Sequence, residues 1–303
     1  MNHPLRFGII SLQDLPWPTL VEHWQHIESL GYDSLWIADH FVNPHNIDDN
    51  WFDGWSLLAA LAAQTSTIRI GTLVTNIIYR NPAVLARQAQ TLDHISNGRL
   101  EFGIGATSER DPSHGMTGVE NWSTSERVKR FREIIEIVDH MLRNESTTFH
   151  GDYYQVTDAR IKPPAIQKPR PPITIAAAGP STLKIAAQYA DSWNTFGGFG
   201  LSIQDNLAVT RQRSEMLDEF CAKLGRDPGE IRRSFLVGLT QDTPFASLDA
   251  FFDCVGRLQE LGFSEFIFYY DYHGLTPDKC MTREMLERIA TEAIPALRSK
   301  SSV

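Results

Sequence analysis

The sequence predicts an α/β protein folded as a single (β/α)8 barrel over residues 1–303, with insertion regions at 106–121 and 144–171. Three observations carry this. Strand-like and helix-like segments alternate, there are eight of each, and the helix boundaries hold residues that start or stop helices. The first strand, 6–11, holds Phe7, Ile9 and Ile10, and its helix, 17–30, stops before Gly31. The second, 34–38, holds Leu35, Trp36 and Ile37 and leads to a helix at 51–64. The third, 68–74, leads to a helix at 82–95, where Asn81-Pro82 is a cap followed by a first-turn proline. The fourth, 100–105, precedes the helix 123–142; the fifth, 172–177, precedes 181–189. The sixth, 192–196, precedes 203–224, which Gly225 ends. The seventh, 234–239, precedes 247–261, which Gly262 ends. The eighth, 265–270, precedes 283–296. Runs this short and this apolar suit strands buried on both faces. A doubly wound open sheet has the same alternation, because strand count does not prove closure.

Both insertion regions are polar and longer than ordinary connections, as lids and binding loops are. The first follows the fourth strand and belongs to the catalytic face; the second begins after a helix. Hydrophobic residues at 42% are enough for a substantial core, and the net charge of −9 argues against a nucleic-acid partner and against docking on an anionic membrane. Cys221, Cys254 and Cys280 form no CxxC pair and read as free thiols of a reducing compartment. With no signal-like N-terminus and no apolar run of about 20 residues, the expected location is cytoplasmic.

Barrel chemistry sits at the C-terminal ends of strands. Asp39-His40 follows the second strand, Thr75-Asn76 the third, and Gly105-Ala106-Thr107-Ser108-Glu109 the fourth. Ala178-Gly179-Pro180-Ser181-Thr182 follows the fifth, and Asn194-Thr195 closes the sixth. A histidine in such a place exchanges protons near neutral pH; the alternative is a structural histidine bonded to a carbonyl. The other nine histidines show no metal-ligand spacing such as HExxH, so no metal is expected. The turn at 178–182 enters a helix and reads either as an anion site or as a plain helix cap. Gly103-Ile104-Gly105 does not extend to GxGxxG. Most tryptophans read as core, with Trp193 either core or mouth-lining.

At these positions the sequence resembles the bacterial luciferase-like superfamily of flavin- and deazaflavin-dependent oxidoreductases. The matching stretches are 31–41, 70–74, 80–86, 91–100, 151–154, 172–179 and 187–193. They include Ala38-Asp39-His40, Asn81-Pro82, Asn97-Gly98-Arg99, Gly151-Asp152-Tyr153-Tyr154 and Ala190-Asp191-Ser192-Trp193. They run in order over roughly residues 5–200; the C-terminal third fits by pattern alone. The Ala-Asp-His form is most similar to the branch that uses coenzyme F420, an 8-hydroxy-5-deazaflavin.

The resemblance implies a luciferase-like barrel with the cofactor ring stacked in its mouth. It assigns Asp39, His40, Val74, Asn76, Ala106, Ala178, Gly179 and Ser181 to the cofactor. His40 would handle the proton, Asn76 would touch the ring edge, and a bulge at Leu73-Val74 would support the ring. Residues 178–181 would bind the cofactor phosphate, and Thr195 would face substrate. Sugar-6-phosphate dehydrogenases of this branch carry a catalytic Glu directly after the fourth strand's glycine, where Ala106 stands here; Glu109 is the candidate to supply a carboxylate from the same loop. Three functions follow: F420-dependent hydride transfer to or from a small organic substrate, FMN- and O₂-dependent monooxygenation, and a non-enzymatic flavin-binding relative. The implied partners are a second copy of the chain, joined through the second and third helices, and a separate flavin or F420 reductase.

Overall fold

The computed structural model describes residues 3–272 and 274–300. In chain order the elements begin β1 (Arg6–Ser11), α1 (Trp17–Ser29), β2 (Ser34–Ile37), α2 (Gly54–Gln64), β3 (Arg69–Thr72), β4 (Thr75–Asn76) and α3 (Pro82–Ile95). There follow β5 (Leu100–Gly105), α4 (Ser113–Thr117), α5 (Thr124–Arg143), β6 (Thr147–His150), β7 (Gln155–Ala159), β8 (Ile173–Ala176) and α6 (Pro180–Tyr189). The chain continues through β9 (Ser192–Thr195), α7 (Ile203–Lys223), β10 (Arg232–Val237), α8 (Leu248–Gln259) and β11 (Glu265–Tyr270). It closes with α9 (Arg283–Arg288) and α10 (Ile294–Lys300), joined by a π-helical turn at Ile289–Ala293.

Among the described residues, eight strands pair in parallel in the order β1-β2-β3-β5-β8-β9-β10-β11, and β11 returns to β1. The decisive ladder is β3 to β5, where Ile70 faces Leu100 and Gly71 faces Glu101; it closes the ring and removes the open-sheet alternative. Trp36 is fully buried, and a Cβ at Gly71 would lie 2.6 Å from its ring. Glycine there makes room for a large side chain that fills a small barrel.

The third expected strand, 68–74, is broken in the structure. β3 stops at Thr72, a cis peptide joins Leu73 to Val74, and pairing with β5 resumes at Thr75. Thr72 Oγ1 donates to Gly103 O at 2.8 Å and lies 2.7 Å from Thr75 Oγ1, so side-chain hydroxyls bridge the break. The second helix starts at Gly54 rather than at 51, because Asp53 caps it by accepting from Ser56 N at 2.8 Å. Asn81 caps α3 as expected, accepting from Ala83 N and Val84 N.

Both insertion regions hold structure that the sequence did not announce. Residues 106–121 carry the short helix α4, ended by Gly118 in the left-handed region at φ 73°. Residues 144–171 carry the antiparallel hairpin β6–β7. Its turn is latched by Glu133, whose carboxylate accepts the N–H groups of Asp152, Tyr153 and Tyr154 at 2.9–3.0 Å. The hairpin strands are short and largely polar, which hides their period. No helix among the described residues is long and apolar enough to cross a membrane.

Candidate active site

The C-terminal ends of the barrel strands bring together residues far apart in the chain. Asp39, directly after β2, is buried, and both its oxygens meet the guanidinium of Arg80, with Arg80 Nε at 3.2 Å from Oδ2. The same Oδ2 accepts the backbone N–H of Asn76 at 3.0 Å, and Tyr79 donates its hydroxyl to Asp39 O at 3.0 Å. Burial pushes the Asp39 carboxyl up, and the Arg80 charge pulls the other way. Asp39 therefore anchors the end of β2 to the turn after β4; its oxygens are committed within the protein.

His40 comes next, and its side chain is 37% exposed. Its Nδ1 lies 3.1 Å from Asp111 Oδ2, while Nε2 makes no hydrogen bond among the described residues. Trp51 Nε1 donates to His40 O at 2.9 Å and fixes the backbone beneath the ring. Asp111 is buried in the loop after β5. It also accepts from Asn76 Nδ2 at 3.1 Å and from Ser113 N at 2.9 Å. Burial alone would raise this carboxyl, but the bonds from His40 and Ser113 outweigh it and hold it down at about 2.

Asn76 is the hub of this network. Its Oδ1 accepts Ile78 N at 2.9 Å and Thr107 Oγ1 at 3.0 Å. Because Oδ1 takes a backbone N–H, Nδ2 must be the atom that faces Asp111. Val74 is half-buried beside Gly105, where a Cβ would stand 2.6 Å from Val74 Cγ2. Ala106 is half-buried at the end of β5.

Across the mouth, Ala178, Gly179 and Ser181 are exposed at the start of α6, whose first N–H groups have no acceptor within the helix. A Cβ at Gly179 would meet nothing within 4 Å, so the approach to these amides is open. At these strand ends an apolar cluster includes Leu12, Val74, Phe196, Leu239 and Tyr269. Open amides at a helix start, an apolar cluster and an accessible imidazole suit an apolar, phosphate-bearing ring system.

Two residues singled out from the sequence have side chains engaged within the protein. Glu109 is exposed and bonds to Thr124 Oγ1, with Arg127 at 3.7 Å, so the carboxylate that meets His40 is Asp111's. Thr195 is buried, and its hydroxyl takes Gly197 N at 3.3 Å and Arg213 at 3.5 Å. Trp193 is core: fully buried, donating to Ala177 O at 2.9 Å. Asp111 escaped the sequence reading. Its one local signal is Asp111-Pro112-Ser113, which reads as a turn, and Asp111 does accept from Ser113 N in that way. A cleft of about 560 Å³, lined by His3, Asp218, Arg233 and Phe263, opens at the opposite end of the barrel, away from these strand ends.

The profile of the luciferase-like monooxygenase family matches residues 5–243. The chain belongs to this family. It is 33% identical over 189 residues to the F420-dependent glucose-6-phosphate dehydrogenase of Amycolatopsis mediterranei, covering 61% of this chain and 55% of that protein. It is 30% identical over 245 residues to the enzyme of the same name from Kineococcus radiotolerans, covering 80% and 69%. The match thus spans little more than half the length of the first relative. The coenzyme F420 dependent tetrahydromethanopterin reductase of Methanopyrus kandleri superposes with a TM-score of 0.76 at 19% identity, covering 97% of this chain and 99% of that one. That likeness establishes a shared luciferase-like barrel.

Proposed function

We propose that this luciferase-like protein is a coenzyme F420-dependent oxidoreductase that works on a small organic substrate at the C-terminal mouth of its barrel. The observation that carries this reading is His40, held through Nδ1 by a buried carboxylate with Nε2 left for the mouth. The likeness to F420-dependent dehydrogenases supports the choice of cofactor. When bound, the deazaflavin supplies the acceptor or donor of hydride, and the protein supplies position, electrostatics and shelter.

The residues divide those tasks. The amides at the start of α6, with Ala178, Gly179 and Ser181, hold the phosphate. Val74 and the break before β4 support the ring from behind, and Asn76 stands at its edge. His40 moves a proton at Nε2. The loop 106–121 limits water at the reacting atoms. The strand-end carboxylate of the sugar-phosphate enzymes is replaced by Ala106, and Glu109 is turned to Thr124 and Arg127. Sugar phosphate is therefore not carried over as the substrate; alcohols, imines and activated alkenes are the classes to search.

The protein acts as a homodimer in this reading. The α2–α3 face exposes Val84 at 56% and Ile95 at 47%, beside a shallow cleft that includes Trp55. A separate reductase supplies reduced cofactor where the reaction consumes it.

Titration with F420 and with FMN, each oxidised and reduced, tests the assignment through fluorescence quenching. Tight deazaflavin binding with weak FMN binding is expected. A preference for reduced FMN, with oxygen uptake on turnover, would overturn it in favour of a monooxygenase.

A further inference from the structure

We propose that Asp111 is the positioning residue that fixes the tautomer of His40, keeping the ring proton on Nδ1 and presenting the bare Nε2 to the substrate. The inference rests on the reading of His40 as the proton-handling group.

The logic is one of matched donors and acceptors. An ionised carboxylate has no proton to give, so a bond between it and imidazole requires the imidazole nitrogen to donate. Asp111 is ionised at neutral pH, since its bonds hold it at about 2. At 3.1 Å from its Oδ2, Nδ1 of His40 must carry the proton. In the neutral ring the other nitrogen, Nε2, is then an acceptor.

The carboxylate cannot turn away. Ser113 N holds Oδ1 at 2.9 Å, and Asn76 Nδ2 holds Oδ2 at 3.1 Å. Asn76 cannot flip, because its Oδ1 accepts the backbone N–H of Ile78 and the hydroxyl of Thr107. Its own backbone N–H is tied to Asp39. Asp39, although adjacent to His40, is committed to Arg80 and Asn76 and does not compete for the ring. The ring is thus set by a residue 71 positions later, on a different loop.

The arrangement makes His40 a base toward an alcohol. The O–H bond breaks as Nε2–H forms, and the carbinol C–H breaks with loss of hydride to leave a carbonyl; a bound deazaflavin would supply the hydride acceptor. In the other direction the imidazolium returns that proton to a carbonyl oxygen as hydride arrives at carbon. Asp111 keeps its bond to Nδ1–H in both directions and stabilises the imidazolium. Because Asp111 rides on the loop after β5, the tautomer is set when that loop is seated.

The test is a long-range ¹H–¹⁵N correlation spectrum of the full chain labelled with ¹⁵N-histidine, recorded where the imidazoles are neutral. His40 is assigned from the signal lost in His40→Gln. The wild type is expected to show a protonated Nδ1 and a bare Nε2. In Asp111→Ala the balance is expected to move toward the Nε2–H form that free histidine favours. A wild-type His40 protonated on Nε2 would overturn the inference without recourse to any variant, and so would an unchanged tautomer in a folded Asp111→Ala protein. Wild-type protein that fails to bind F420 would overturn the functional reading alone, because the tautomer spectrum is recorded without cofactor.

Discussion

The two ends of the barrel both bury charge, and they use it in opposite ways. At the N-terminal end, Arg6 reaches Glu101 at 3.0 Å and Glu265 at 3.5 Å, and Arg69 joins the same Glu101. Glu101 is buried; desolvation would raise its carboxyl, but the two arginines hold it below the usual range. Its charges meet one another across strands β1, β3, β5 and β11, so this end fastens the barrel. At the C-terminal end, Asp39 and Arg80 form a comparable pair, but Asp111 is paired with an imidazole that keeps one nitrogen for the solvent side. A buried carboxylate becomes part of a reaction site when its partner retains an unused donor or acceptor in an open place.

That contrast is most sharply tested at His40. Its replacement by Ala is expected to lower F420-linked turnover by roughly 10²–10⁴-fold, the usual worth of a positioned acid or base. Thermal stability should fall by only about 1–2 kcal/mol, because the ring is partly exposed while buried Asp111 loses one donor; absorbance assays and a melting curve read turnover and stability. A protein that loses much more stability and keeps its turnover would place His40 among the fasteners.

The mirror experiment is Glu101→Ala. It strands Arg6 and Arg69 without their shared carboxylate and is expected to cost about 3–5 kcal/mol of stability, as loss of one partner of a buried pair does. Urea denaturation measures it. F420 affinity of the folded protein should be unchanged, since the change lies at the far end of every strand.

A smaller effect is read by pH. The Asp111 carboxyl falls from an unfolded value of about 3.9 to about 2 in the fold. A depressed carboxyl contributes stability that is complete above its unfolded value and is lost as pH falls through its folded value. Wild-type unfolding midpoints should therefore drop between about pH 4 and about pH 2, and Asp111→Asn should flatten that part of the profile. Equal slopes in the two proteins would show that Asp111 is not held as described.

The smallest change is expected from Glu109→Gln. Its side chain is 55% exposed and its charged partner, the buried Arg127, is 3.7 Å away, so stability should move by no more than about 1 kcal/mol. Turnover should be unaffected. A large loss of turnover would return Glu109 to the site and restore the strand-end carboxylate by another route.

The parts of this molecule legible in the sequence were those governed by local period and local caps. Phe7, Ile9 and Ile10 mark β1, Asn81-Pro82 marks the start of α3, and Asp39-His40 stands at a strand end because Leu35, Trp36 and Ile37 precede it. The break at Leu73-Val74 lay inside an apolar run whose composition gives no reason to stop, so only the family resemblance, which implies a bulge there, marked it. The hairpin β6–β7 was hidden because its strands face solvent on most positions and are held by Glu133 from another element.

Sequence alone determined the alternation of strands and helices and the histidine at the mouth, which rest on neighbours within a few residues, and the family, which rests on local stretches repeated in order along the chain. The tertiary structure decided three things: that β3 meets β5 and closes the ring, that Glu109 turns outward, and that Asp111 meets His40. The physical reason is common to all three. Hydrogen bonds between residues tens of positions apart depend on the direction in which a loop delivers each side chain. In the loop after β5, that direction is set by Thr107 at φ 62°, by the turn at Asp111-Pro112-Ser113 and by the grip of Asn76, none of which leaves a period in the sequence.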